Sequence, residues 1–317
     1  MGNKLSFHKK RHERSSHASS SNASHESVTT SSQSSSDFIF RNGRKFHGVD
    51  SSAYWFPSDD EEIDRLVGQH FALKALFKGN ILDIGLPLIP LESNARILDV
   101  GCGPGTWIMD IATEYPTSEF IGIDMCDVFP TNIRPPNVTF QVANVLNKLP
   151  FPDNSFDFVN IRLFIIALKK EQWPMVFSEI YRVTKPGGCI QSIEACMLDR
   201  GNDFVRRAGK EFENAIARLG QDPHVARKLG KLVEQAGFDV LHHEIKDIPL
   251  RGSDRLTREF LWDVAMIFKT GEQMLLGPLG LTSEQYPEFL DRLCKECQKL
   301  PEAKWAFGLC FGQKPIL

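Results

Sequence analysis

The sequence predicts an α/β protein built on a doubly wound, mostly parallel sheet of seven strands, and two observations carry that prediction. From Arg96 onward, short apolar segments alternate with amphipathic segments of helical period. The first apolar segment continues directly into a glycine-rich turn, 96-RILDVGCGPGTW-107, before a helical pattern begins. Such alternation favours parallel strands joined by helices, and a glycine-rich turn from strand to helix is typical of an anion-binding site.

Each later element is placed by its own pattern. Strands are predicted at 96–100, 119–124, 138–142, 156–161, 188–194, 238–246 and 304–312. Helices are predicted at about 105–115, 171–184, 204–219 and 224–236. The stretch 248–302 breaks the alternation, because it has the pattern of two helices (254–269 and 283–299) inserted before the last strand. We expect these inserted helices to cap a ligand site.

A helix is also predicted ahead of the alternating region, in 58-SDDEEIDRLVGQHFALKALFKGN-80. Ser58 and Glu61 have the spacing of a capping box, and acidic residues fill the first turn. Gly79 is placed where it can end the helix.

The first 36 residues form a separate region. Residues 15–36 hold twelve serines and two threonines in 22 positions, so they cannot bury enough apolar surface to offset their ordering entropy. We therefore expect a disordered, serine-rich, basic tail at 1–36. One domain is expected at 37–317, with its core at about 93–195 and the inserted cap helices at about 248–302.

The first residues also suggest a membrane attachment. Gly2 and Ser6 match the N-myristoylation pattern M-G-x-x-x-[ST], and a basic cluster follows at once, consisting of Lys9, Lys10, Arg11 and Arg14. One acyl chain binds membranes only marginally, so the basic cluster would supply the second signal. We expect either peripheral attachment to the cytoplasmic face of a membrane or an unmodified tail on a cytoplasmic protein.

Composition narrows the class of protein. The seven cysteines are scattered and no secretory leader is present, which favours a reducing, intracellular compartment. Cys294 and Cys297 form a C-x-x-C without a second pair, so two thiols on one helical turn are favoured over a metal site. The tail carries a net charge of +3 and the remaining chain −6, which argues against direct nucleic-acid binding.

Polar residues follow each of the first three predicted strands. Gly101, Gly103 and Gly105 do not match the G-x-G-x-x-G of dinucleotide folds, and no G-K-[ST] follows as in a P-loop. Asp124 ends the second strand, nineteen residues after Gly105, where a carboxylate can accept both hydroxyls of a ribose. Met125 beside it offers an apolar face to a purine, and Asn144 with Val145 follows the third strand, where an amide can pair with an adenine edge.

The chain resembles the class I S-adenosylmethionine-dependent methyltransferases from about residue 53 to residue 313. The resemblance is carried by four features in this order: LDVGCGPG, a second strand that ends in an acid, LPFPDNSFDFV and RVTKPGG. The resemblance implies a Rossmann-like fold, S-adenosylmethionine as cofactor, and methyl transfer to an acceptor that the sequence does not identify. It also implies three groups of cofactor contacts. These are Asp99, Gly101, Cys102, Gly103 and Gly105 for the methionine end, Asp124 and Met125 for the ribose, and Asn144 and Val145 for adenine. Many members carry Asp where this chain has Asn144, but either side chain accepts a hydrogen bond from the adenine amino group.

A narrower resemblance lies ahead of the glycine loop. Tyr54-x-x-Pro57-x-Asp59, Glu62-x-Asp64-Arg65-Leu66, Gln69-His70 and Gly105-Thr106-Trp107 are similar to fungal methyltransferases related to a regulator of secondary metabolism. In that family the N-terminal helix covers the cofactor, which makes Tyr54, Gln69 and His70 candidates for the pocket wall. The alternative for His70 is a satisfied core histidine, and Trp107 is expected in the core.

The sequence does not identify a catalytic residue. No general base stands out, since Asp157 and Glu194 near strand ends are expected to be structural. Arg162, just past the fourth strand, is a candidate pocket residue that could steer an anionic acceptor, or else a surface ion-pair residue. The acceptor could be a small molecule, a lipid or a protein. Two alternatives remain open: a non-catalytic regulator that binds the cofactor and partner proteins, and an NAD-dependent oxidoreductase, which the glycine spacing disfavours.

Overall fold

The computed structural model describes residues 38–41, 43–48, 52–130 and 132–316. The predicted tail, with Gly2 and the basic cluster, lies outside these residues. Within them, no helix is both long and apolar enough to cross a bilayer.

A short hairpin that the sequence analysis did not predict comes first. Strand β1 (Phe38–Arg41) pairs antiparallel with β2 (Arg44–His47). Gly43 has a φ of 76°, as hairpin turns require. The dipeptide Asn42-Gly43 between two alternating segments was the available signal.

The predicted N-terminal helix is present as α1 (Asp60–Phe77), but its caps differ from the prediction. The N-cap is Asp59, whose carboxylate accepts from the Glu62 N–H at 3.1 Å and also from the Arg44 guanidinium of β2. At the other end the left-handed residue is Lys78 (φ 65°) rather than Gly79. Asp59 thus joins the hairpin to the start of α1, a contact that a capping-box pattern does not predict.

The predicted α/β architecture is confirmed. In chain order the elements are β3 (Arg96–Val100), α2 (Thr106–Glu114), β4 (Glu119–Asp124), β5 (Val138–Val142), β6 (Phe156–Arg162), α3 (Trp173–Val183), β7 (Thr184–Ala195), α4 (Asp203–Arg218), α5 (Leu229–Gln235), β8 (Asp239–Pro249), α6 (Arg255–Thr270), α7 (Glu272–Leu279), α8 (Tyr286–Lys299) and β9 (Lys304–Gln313). The described residues form a seven-stranded sheet in the order β5-β4-β3-β6-β7-β9-β8. Strand β9 runs antiparallel to β7 and β8, whereas β5, β4, β3, β6 and β7 are parallel.

Helices on both faces bury the central strands completely. Ile97, Leu98, Phe158 and Val159 have no exposed surface, although they point alternately to opposite faces of the sheet. Trp107 on α2 is also in the core, as predicted, and its indole N–H donates to the Asn80 carbonyl at 3.1 Å. The strand order reverses between β3 and β6, and in such sheets ligands bind outside the carboxyl ends of the strands at that point.

The inserted region contains three helices, so the prediction of two was wrong. Helix α7 was missed because its sequence, EQMLLGPL, contains Gly277 and Pro278, which normally interrupt a helix. Burial of Leu275 and packing of α7 on α4 offset this low propensity. Helix α6 packs against α1. Within the described residues, none of α6, α7 and α8 borders the cavity at the switch point, whereas α6 contributes Val264, Ile267 and Phe268 to the wall of a second, adjoining cavity.

Candidate active site

A cavity of about 210 Å³ opens at the switch point, at the carboxyl ends of β3, β4, β5 and β6. The end of β2 and one side of α1 cover it. Most of the residues predicted for the cofactor site line this cavity, namely Tyr54, His70, Asp99, Gly101, Cys102, Gly103, Asp124, Met125, Asn144, Val145 and Arg162. Gly105 and Gln69 are absent from its described walls.

The three loop glycines are all left-handed, with φ values of 63° for Gly101, 53° for Gly103 and 75° for Gly105. They serve different purposes. A Cβ at Gly101 would lie 2.2 Å from the Phe164 ring, and one at Gly105 would lie 2.6 Å from the Phe140 ring, so both permit close aromatic packing. A Cβ at Gly103 would meet no described atom within 4 Å and would project into open space. Gly103 therefore leaves the backbone accessible, and Gly105 shapes the turn into α2.

Asp124 fastens the glycine loop to β4. Its carboxylate accepts from the Gly103 N–H at 2.9 Å and from the Cys126 N–H at 3.0 Å. Burial raises the pKa of Asp124, and the two N–H groups oppose that shift. Each carboxylate oxygen has two lone pairs, so both oxygens keep acceptor capacity for a ligand.

Asn144 holds the turn after β5. Its Oδ1 accepts from the Leu146 N–H at 2.9 Å, an Asx turn that fixes the side chain at the cavity wall. Cys102 in the glycine loop is a buried thiol, and burial raises its pKa well above the ordinary value. A neutral thiol lacks the reactivity of a thiolate, so Cys102 contributes shape rather than chemistry.

Two ionisable side chains, Asp99 in β3 and Arg162 at the end of β6, lie close to each other at the cavity wall. Asp99 accepts from the Asn160 side chain at 2.8 Å, and burial raises the pKa of Asp99 to about 7. Burial lowers the pKa of Arg162 to about 10, which leaves it charged at neutral pH. The Arg162 guanidinium lies 5.9 Å from the Trp107 ring and donates to His70 Nδ1 at 3.5 Å. Within the described part of the chain Arg162 makes no ion pair within 4 Å, so the structure gives no support to the surface ion-pair alternative.

His70 both lines the cavity and is satisfied by hydrogen bonds. Burial, with the Arg162 guanidinium nearby, lowers the pKa of His70 to about 4, so the ring is neutral. Its Nδ1 faces a donor, Arg162, which assigns the proton to Nε2, 3.1 Å from the Asp110 carboxylate. Lys74 and Asn80 donate to the same carboxylate oxygen at 2.6 and 2.7 Å.

Gln69 is turned away from this cavity. Its Nε2 donates to Asp263 on α6 at 2.6 Å, and Arg65 Nη1 donates to the other Asp263 oxygen at 2.7 Å. Arg65 also donates to Glu62, and all four side chains are buried. Burial raises the pKa of Glu62 and of Asp263, while Arg65 opposes the shift. The inserted helix α6 therefore holds α1 in place over the first cavity.

Several wall residues were not predicted, His47 and Ser52 among them. His47 ends β2, and its Nε2 lies 3.2 Å from Ser52 Oγ. Burial lowers the pKa of His47. These residues reach the site through the hairpin, so the Asn42-Gly43 signal could have found them.

A second cavity of about 80 Å³ adjoins the first and shares Arg65, Leu163 and Ile166 with it. Its other described walls come from Phe56, from the segment after β6, from the end of β7 and from α1, α4, α6 and β9, and they are almost entirely apolar. They comprise Phe56, Gln69, Ile165, Ala195, Cys196, Met197, Leu198, Gly209, Phe212, Val264, Ile267, Phe268 and Trp305.

Glu194, at the end of β7, holds the segment that forms the partition between the two cavities, in which Phe164 borders the first cavity and Ile165 the second. Its two carboxylate oxygens accept from the Phe164 and Ile165 N–H groups at 2.8 and 2.9 Å. Burial raises the pKa of Glu194 to about 8. These bonds hold the turn that follows Leu163, which has an unfavourable left-handed φ of 62°.

Comparison with known proteins agrees with this geometry. A methyltransferase-domain family model matches residues 97–188. The secondary metabolism regulator LAE1 of Cochliobolus heterostrophus is 34% identical over 217 residues, which are 66% of this chain and 69% of that protein. The protein-methionine methyltransferase laeA of Emericella nidulans is 28% identical over 228 residues, 67% of this chain and 57% of that protein.

Among solved structures, Haemonchus contortus phosphoethanolamine N-methyltransferase 2 in complex with S-adenosyl-L-methionine is 19% identical with a TM-score of 0.46. The match covers 86% of this chain and 62% of that one. The matched family model contains β3, the glycine loop, Asp124, Asn144 and Arg162. The chain belongs to the class I S-adenosylmethionine-dependent methyltransferases related to the fungal regulators of secondary metabolism, and S-adenosylmethionine is its cofactor.

Proposed function

We propose that the first cavity holds S-adenosylmethionine with its three parts distributed along the strand order. The carboxyl ends of β5, β4 and β3 lie side by side, and each presents one predicted group of contacts. Asn144 and Val145 would contact adenine, and Asp124 would accept from the ribose hydroxyls. The backbone opened by Gly103 would lie along the methionine. The fit of these residues to the ligand is supported by the open space at Gly103, which lies next to a part-buried acceptor, Asp124.

Arg162 indicates which end of the cavity would hold the methionine part of the cofactor. The part-buried guanidinium of Arg162 has five N–H donors, and the described contacts occupy one of them at a long 3.5 Å. Its remaining donors are available to a ligand in the cavity, and a carboxylate is the partner that a guanidinium binds best. Arg162 would therefore bind the carboxylate of the methionine part, beyond the end of β3.

The acceptor would enter from the other side of β6. The strand order continues from β3 to β6 and β7, and the ends of β6 and β7 line the second cavity. Because the two cavities share Arg65, Leu163 and Ile166, an acceptor in the second cavity would meet the cofactor at this partition. The apolar walls favour an uncharged acceptor group.

The acceptor we propose is the thioether of a methionine residue in a protein. The acids around the partition are engaged: Asp99 by Asn160, Glu194 by two backbone N–H groups, and Glu62 with Asp263 by Arg65. When bound, S-adenosylmethionine would supply the methyl carbon, to which the lone pair of the acceptor sulfur bonds. The C–S bond that breaks leaves its electron pair on S-adenosylhomocysteine. The product is a sulfonium, and its formation releases no proton. Such an acceptor needs no general base. It also matches the printed name of the Emericella relative.

The proposal is tested by incubating the purified chain with cell extract and trideuteromethyl-labelled S-adenosylmethionine, followed by tandem mass spectrometry of the protein fraction. We expect label on methionine side chains. Label confined to lysine, arginine or carboxyl groups, or to small molecules, would refute the thioether. The control is Asp124→Ala, which should bind S-adenosylhomocysteine about 1.5–3 kcal/mol more weakly, since it lacks hydrogen bonds to a charged group. Unchanged affinity in calorimetry would remove Asp124 from the site.

A further inference from the structure

The side-chain oxygen of Gln69 is buried and accepts no hydrogen bond from the described residues. The amide nitrogen must face Asp263, because an ionised carboxylate only accepts hydrogen bonds. The orientation of the amide is therefore fixed, and Oε1 points away from Asp263. Gln69 is 4% exposed, and Oε1 has no hydrogen-bond partner among the described residues.

This oxygen belongs to a residue of the second cavity. Phe56, Phe212, Ile267 and Phe268 form apolar walls around it. Arg65, the charged residue shared with the first cavity, uses Nε, Nη1 and Nη2 on Glu62 and Asp263. Gln69 Oε1 is thus a buried acceptor without a donor, in a residue that lines a cavity otherwise suited to an apolar group.

Buried carbonyl groups without a partner are uncommon and unfavourable in folded proteins. A ligand with one N–H donor next to an apolar chain would satisfy Gln69 and fill the cavity together. A secondary amide is the group of this kind that a polypeptide offers, and it stays uncharged when it leaves water.

We infer that Gln69 Oε1 is a specificity-determining acceptor that selects methyl-acceptor groups carrying a secondary-amide N–H. The inference rests on the proposed function, because it takes the second cavity as the place where the acceptor binds. It assigns Gln69 to recognition of the acceptor, in place of the cofactor contact that the sequence predicted.

A matched pair of probes tests this role. N-(3-methylthiopropyl)acetamide and 3-methylthiopropyl acetate share a thioether and a carbonyl and differ in one N–H. With the full chain saturated with S-adenosylhomocysteine, we expect the amide to bind roughly fivefold more tightly than the ester in ligand-observed NMR titrations. In Gln69→Met the ratio should fall to about one. Both probes meet the same variant, so the ratio is independent of any loss of stability.

Equal binding of both probes to the wild-type chain would overturn the inference, as would an unchanged preference in Gln69→Met or the absence of binding by either probe. Failure of the proposed function is a separate result. Label transferred to protein methionines with a probe ratio of one refutes only the role of Gln69. An amide preference that depends on Gln69, with no label on methionine, refutes only the thioether acceptor.

Discussion

Replacing Gly103 by alanine should weaken cofactor binding while leaving the fold intact. The residue has a φ of 53°, so a Cβ there costs about 1–2 kcal/mol of strain. No described atom lies within 4 Å of that Cβ, so no further clash adds to the cost. For a chain of this size the melting temperature should fall by only about 2–8 °C. The added methyl group would occupy the space proposed for the methionine part, so S-adenosylhomocysteine should bind at least roughly tenfold more weakly.

Gly101→Ala is the matched control, because its φ of 63° carries the same strain. Here the new Cβ would lie 2.2 Å from the Phe164 ring, and overpacking adds about 1–3 kcal/mol to the loss of stability. Thermal unfolding should therefore rank wild type, Gly103→Ala and Gly101→Ala in falling order, with calorimetry measuring affinity for S-adenosylhomocysteine. Wild-type affinity in Gly103→Ala, or equal destabilisation by both variants, would contradict this division of roles.

Three further changes have defined outcomes. Arg65→Leu should lower the free energy of unfolding in urea by about 3–5 kcal/mol, because it leaves two buried carboxylates without their partner. Lys269→Met also removes a contact between α1 and α6, the exposed 2.7 Å ion pair with Glu61. This variant should change the free energy of unfolding by less than about 1 kcal/mol. The pKa of Glu194 is raised from 4.5 to about 8, so its contribution to stability is complete below pH 4.5 and is lost as the pH rises through 8. Glu194→Gln should accordingly lose less stability than wild type in urea titrations between pH 5 and 8, and parallel curves would contradict this. If the tail is acylated, Gly2→Ala should move the protein from the membrane to the soluble fraction of a eukaryotic cell, and an unacylated Gly2 in mass spectrometry would exclude it.

The central sheet could be predicted because its signal is local. Strands such as 119–124 and 138–142 match β4 and β5 residue for residue, since apolar runs bounded by turns need no knowledge of their neighbours. The order of polar residues after those strands then predicts which side chains meet, because parallel strands end at the same edge. Asp124 and Asn144 line one cavity, as this order and the family resemblance together predicted, and Arg162, for which two roles were open, lines it too.

The errors arise where a distant contact outweighs the local pattern. Ser58 has capping-box spacing, yet Asp59 caps α1, and Arg44 of the distant hairpin binds the same carboxylate. Gly277 and Pro278 predict a loop, yet packing on α4 stabilises α7. Neither partner can be found from the sequence around the error.

Two neighbouring residues of α1 border different cavities, and here too a distant contact decides. Gln69 and His70 are neighbours in sequence, and both were predicted to line the cofactor pocket. Adjacent helix positions differ by about 100° in direction, so one helix can present neighbouring residues to two cavities. His70 meets Arg162 and the first cavity, whereas Gln69 meets Asp263, 194 residues away, and borders the second. The N-terminal helix thus lies between the proposed cofactor and acceptor sites, and α6 sets its rotation. A substitution on α6 that turns α1 should therefore change acceptor choice and cofactor affinity together.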